Sequence, residues 1–94
     1  MRCIEIIRVQ TAIGRIEAAE RKLGEIAEEI TGNIDIPDLA EVQFFRHALL
    51  SGYYTVQILW DAKDMQNGGS TLGCSLEHIL KSFGITDHSV WIKL

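Results

Sequence analysis

Residues 41–61 read EVQFFRHALLSGYYTVQILWD. In the second half, Tyr54, Val56, Ile58 and Trp60 recur at every second position. Tyr53, Thr55, Gln57, Leu59 and Asp61 fill the alternate ones. A period of two is that of a strand with unlike faces. In the first half, Val42, Phe44, Ala48 and Leu50 share a face interrupted by Arg46, while Glu41, Gln43, Phe45, His47 and Leu49 make a mixed one. Ser51-Gly52 stands between the halves, where glycine supplies the positive φ of a two-residue turn. The stretch predicts a β-hairpin with strands over 41–50 and 53–61.

Helical patterns flank the hairpin on both sides. Upstream, Ile16, Ala19, Leu23, Ile26, Ala27 and Ile30 form one apolar stripe of 3.6-residue period. Glu17, Arg21, Lys22, Glu25, Glu28 and Glu29 occupy the other side. Gly14 punctuates before this helix, Gly32 is its expected stop, and residues 33–40 form a loop holding the only proline, Pro37. Residues 2–10 are short and rich in Ile and Val, which predicts a central strand with Glu5 and Arg8 on opposite faces. Downstream, residues 62–69 read as a loop, and Ser70 or Thr71 as a helix cap. Leu72, Leu76, Ile79, Leu80 and Phe83 give a second apolar stripe, Gly84 its stop, and residues 89–94 alternate as a last strand.

Strand, helix, hairpin, helix, strand is the β-α-β-β-α-β, ferredoxin-like order. It predicts an α+β fold over residues 1–94 as one domain: one antiparallel sheet with two helices on one face. Tyr54, Val56, Ile58, Trp60, Val90 and Ile92 belong under the helices. The opposite face then carries Phe45, His47, Leu49, Tyr53, Thr55, Gln57, Leu59 and Trp91, with Glu5 expected alongside. That face is too apolar for open solvent and too polar for a core, so a homodimer stacked through its sheets is expected.

Composition narrows the partners. The chain is 47% hydrophobic, more than a thin core needs, which also points to an interface or a ligand cavity. Its net charge of −4, with Arg21-Lys22 as the longest basic run, disfavours nucleic acid and anionic membrane surfaces. Ser51 to Ile58 fits the third-strand motif of RNA-recognition domains at Gly52, Tyr53 and Val56 but lacks its basic residue and second aromatic. Glu5 and Arg8 break the N-terminal apolar run, so no signal or membrane segment is read there and a cytoplasmic location is expected. Cys3 and Cys74 have no metal-type spacing and are expected as thiols.

The hairpin, from Phe44-Phe45-Arg46-His47 to the strand ending Trp60-Asp61, resembles the inner strands of the dimeric α/β-barrel proteins, in particular the antibiotic-biosynthesis-monooxygenase-like group. Gly14 before the first helix and a second helix bearing His78 extend the likeness over most of the chain. His78 stands mid-helix, away from the group's usual position, and the group's Pro-Gly before the hairpin is replaced by Asp38-Leu39-Ala40-Glu41. The resemblance implies a sheet-to-sheet homodimer and a small-molecule site, with cofactor-free oxygenase-type chemistry among the group's activities.

His47 is the candidate catalytic residue, as a general base or a ligand-orienting group. His47, Tyr53, Gln57 and Trp91 are the candidate pocket. No metal site is expected, because Glu77-His78 has no second histidine at a ligand spacing. No cofactor is expected either. Cys74 and His78, four apart on one helix, read as a thiol beside a surface histidine rather than a nucleophile with its base. Gly68-Gly69-Ser70-Thr71 reads as a cap rather than an anion cradle. Two functions follow: a dimer binding a small molecule on its sheet face, or a non-catalytic dimeric module that regulates or binds a partner. Gly14 and Gly32-Asn33-Ile34 echo small amino-acid-sensing domains, a variant of the second.

Overall fold

The computed structural model describes residues 2–32, 36–61 and 69–94. The elements run β1 (Arg2–Thr11), α1 (Ile16–Gly32), β2 (Leu39–Arg46), β3 (Tyr53–Asp61), α2 (Thr71–Leu80) and β4 (Gly84–Ile92). They build one antiparallel sheet in the order β2-β3-β1-β4, the ferredoxin-like arrangement.

Alternation decides which face each strand buries. Cys3, Ile7 and Val9 of β1 and Tyr54, Val56, Ile58 and Trp60 of β3 are buried on one side. Ala19, Leu23 and Ile26 of α1 and Leu76 and Leu80 of α2 close over them. Burying each Ile, Val or Leu of this layer contributes about 1.5–3 kcal/mol. Among the described residues no helix is long and apolar enough to cross a membrane.

Several expected boundaries move. β2 begins at Leu39 and ends at Arg46, so residues 47–50 are not strand. The hairpin connection is therefore residues 47–52, not a two-residue turn. Its organiser is His47, whose Nδ1 accepts the N–H groups of Leu49 at 3.0 Å and Leu50 at 2.9 Å. Gly52 does take a positive φ, of 85°. Gly32 is the last residue of α1 rather than a stop beyond it. α2 ends at Leu80, and Gly84 is the first residue of β4. Any Cβ there would overlap the Gln10 carbonyl, so glycine permits close strand contact rather than capping. β4 thus starts five residues before the expected 89, which brings Thr86 and His88 into the sheet. The predicted loop over 62–69 lies, but for Gly69, outside the described residues, as do Asn33 and Ile34.

Candidate functional site

The uncovered sheet face has a readable grid. Across β3, β1 and β4 it runs Tyr53–Gln10–Ile85, then Thr55–Arg8–Asp87, then Gln57–Ile6–Ser89, then Leu59–Ile4–Trp91. β2 adds Phe45 beside Thr55, Gln43 beside Gln57 and Glu41 beside Leu59. Large apolar groups stay open to solvent here: Phe45 is 47% exposed, Trp91 58% and Ile85 75%.

Among the described residues, two hollows border the candidate pocket residues on this face. The larger, about 540 Å³, lies at the Tyr53 end and is lined by Arg8, Gln10, Phe45, His47, Tyr53, Thr55, Ile85 and Asp87 among others. The smaller, about 280 Å³, lies at the opposite end beside Arg2, Ile4, Leu59 and Trp91. The four candidate pocket residues are therefore divided. His47 and Tyr53 share the first hollow, Trp91 borders the second, and Gln57 lines neither. Tyr53 lies opposite Gln10 and Trp91 opposite Ile4, six residues apart along β1. At ~3.3 Å per residue that separates them by roughly 20 Å.

The ring of His47 stands edge-on to Tyr53, with centroids 6.1 Å apart. Because Nδ1 accepts two backbone N–H groups, a neutral ring carries its proton on Nε2. The nitrogen left for a ligand is then a donor. This geometry suits orienting an acceptor and does not suit proton abstraction.

Glu5 corrects the expectation that it joins the uncovered face. It alternates with Cys3 and Ile7 on the helix side and is fully buried. Its carboxylate is the centre of a polar cluster between β1, β3, β4 and α2. Trp60 Nε1 donates to Oε1 at 2.7 Å. The Ser70 N–H donates to Oε2 at 3.1 Å, and His88 Nε2 lies 2.7 Å from the same oxygen. His88 Nδ1 faces Glu77 Oε1 at 3.2 Å. Only a ring protonated on both nitrogens donates at both ends. Lys81 approaches the other oxygen of Glu77 at 3.9 Å, so the chain of partners runs from a buried carboxylate to a solvated ammonium.

Local sequence builds this cluster. Ser70 is the N-cap of α2, its hydroxyl accepting from the Gly73 N–H at 2.9 Å. The carboxylate thus sits at a helix N-terminus, where the dipole favours an anion. Gly69 takes a φ of 94°, and a Cβ there would fall 2.6 Å from His88 Cε1. A Cβ on Gly73 would overlap Glu5 Oε2. Both glycines therefore make room for the two side chains.

Burial pushes the Glu5 carboxyl upward, but hydrogen bonds from the Ser70 side chain, His88, the Ser70 backbone and Trp60 outweigh it. The group is held below the usual 4.5. An acid held low in the fold stabilises it above the unfolded value, and that contribution is lost as pH falls through the folded one. The thermal midpoint is therefore expected to drop below about pH 4.5. The drop should be shallower in Glu5→Gln, followed by circular dichroism across the acid range. Tyr54 is pushed the other way, to about 12, first by burial and then by donating to Glu20 Oε1 at 2.9 Å.

The remaining candidates stay apart from this cluster. Cys3 is buried under the helices, and Cys74 and His78 are exposed on α2. Among the described residues no three His, Cys, Asp or Glu side chains converge to hold a metal ion.

Neither protein-family models nor curated proteins match this chain.

Proposed function

We propose that the chain works in the cytoplasm as a homodimer whose two sheets face each other, and that it binds a small molecule in the hollow at the Tyr53 end. The carrying observation is the uncovered face itself, where Ile4, Phe45, Ile85 and Trp91 are exposed within one grid. Four strands at ~4.8 Å spacing and nine residues at ~3.3 Å give a footprint of roughly 600 Å². Side-chain relief brings this near the ~800 Å² that each partner buries in a standard interface.

Charge favours a second copy as the cover. The strands place Arg2 and Arg8 on this face against Glu41, Asp61 and Asp87, close to balance. The acidic excess lies instead on α1, with five glutamates against Arg21 and Lys22. Two such sheet faces meet without the repulsion that the net charge of −4 implies. The resemblance to dimeric α/β-barrel proteins of the antibiotic-biosynthesis-monooxygenase-like group supports the same assembly. The engaged Nδ1 of His47 favours binding over base catalysis, which keeps the non-catalytic dimeric module as the second reading.

Leu59→Glu tests the assembly. The residue lies between Ile4 and Glu41 at the Trp91 end of the face, half-buried in one chain, so a lone subunit tolerates the change. In the dimer it inserts an uncompensated charge twice. Dimer affinity is expected to fall at least ~100-fold, read by sedimentation equilibrium. An unchanged association constant with the fold intact would move the interface off this face.

A further inference from the structure

The hollow at the Tyr53 end has a chemical bias that names its ligand class. Its polar side chains, Asp87 apart, can all donate a hydrogen bond. Arg8 presents a guanidinium. The His47 ring lines it, and with Nδ1 engaged the remaining ring nitrogen of the neutral form is Nε2–H. Tyr53 and Thr55 add hydroxyls and Gln10 an amide. Phe45 and Tyr53 supply aromatic surface. Among the described residues, the one carboxylate lining the space is Asp87, the cross-strand neighbour of Arg8. Even so, among the described residues Arg8 forms no ion pair, whereas Arg46 at the same rim is paired with Glu20 at 3.6 Å.

From this we infer that the hollow takes a small aromatic carboxylate. The guanidinium accepts the carboxylate through its fork of N–H groups, and the ring lies against Phe45 and Tyr53. A volume of about 540 Å³ is within the range of small-molecule pockets. The inference rests on the proposed use of this hollow, but it does not require the second subunit.

The test is a titration of the full chain with benzoate, beside benzamide as the neutral isostere and benzylamine as the cation, followed by amide NMR shifts. Saturable shifts at Arg8, Tyr53 and Thr55 are expected with benzoate, and at least ~10-fold weaker binding of benzamide. Arg8→Gln should remove that preference and Arg8→Lys restore part of it, while Trp91→Ala, at the far end of the face, should leave it intact. Equal affinity for benzoate and benzamide, an unaltered preference in Arg8→Gln, or no saturable shift up to the solubility of benzoate would overturn the assignment. Sedimentation of the same samples separates the two ideas. A dimer indifferent to benzoate ends the ligand class alone. A monomer that binds benzoate at Arg8 ends the dimer alone.

Discussion

Glu5→Ala is expected to destabilise the protein by about 3–5 kcal/mol, because the Trp60 and Ser70 N–H groups lose their buried acceptor and His88 its partner. That is a large part of the ~5–15 kcal/mol that holds a typical domain together. The truncation strips His88 Nε2 of its partner at 2.7 Å and leaves the Trp60 indole and Ser70 N–H groups without their acceptor. Each buried donor left unpaired costs about 1–3 kcal/mol. Glu5→Gln keeps the shape and one acceptor oxygen but turns an amide NH₂ toward donors, so an intermediate loss of about 1–3 kcal/mol is expected. Urea titration at one fixed protein concentration measures both, since dimerisation makes stability concentration-dependent. A loss below about 1 kcal/mol in Glu5→Ala would mean that the cluster contributes little to the docking of α2 on the sheet.

Gly73→Ala should run against the usual rule for helices. In a helix interior, alanine normally stabilises over glycine by roughly 0.5–1 kcal/mol. At Gly73 the new methyl overlaps Glu5 Oε2. That oxygen is the end of a side chain, but it is held by Ser70 and His88 and cannot swing away without breaking those bonds. A loss of about 2 kcal/mol or more is expected. Gly24→Ala in α1 is the control, because nothing lies within 4 Å of a Cβ built there. It should stabilise by the ordinary ~0.5–1 kcal/mol. Thermal or urea unfolding of the two variants shows whether the signs are opposite. A stabilising Gly73→Ala would contradict the cradle.

The two helices and the central strands were legible because their patterns are dominated by burial. The 3.6-residue stripe from Ile16 to Ile30 and the alternation from Tyr54 to Trp60 reappear as the faces of α1 and β3. What failed was where polar residues do the work of apolar ones. β4 begins with Gly84-Ile85-Thr86-Asp87-His88, which lacks an apolar alternation because Thr86 and His88 point at Glu77 and Glu5 rather than at a hydrophobic layer. Once its start was misplaced, His88 had no strand to sit on. Glu5 was readable from Cys3, Ile7 and Val9 at its own parity, but a carboxylate among them looks like a solvent residue until its partners are known. Ser70 and the glycines at 69 and 73 were the available signal, since a cap followed by a small residue leaves room for an incoming anion.

His47 lines the hollow at the Tyr53 end but is loop rather than strand, for a different reason. Strand parity assigns a face only while the chain remains strand, and β2 ends one residue earlier. The histidine instead folds over its own loop, and the competition between side-chain and ladder hydrogen bonds decides its place. Tyr53, Gln57 and Trp91 kept their predicted parity on the uncovered face. Parity says nothing of position along a strand, and register spread them from one end of the sheet to the other.

The proposal that the open sheet face meets a second copy is tested most directly by the molar mass of the purified chain in solution. Sedimentation equilibrium at micromolar concentration should return twice the 10.6 kDa of one chain. A mass of 10.6 kDa under those conditions would contradict the sheet-to-sheet homodimer and leave the exposed aromatic face to another partner.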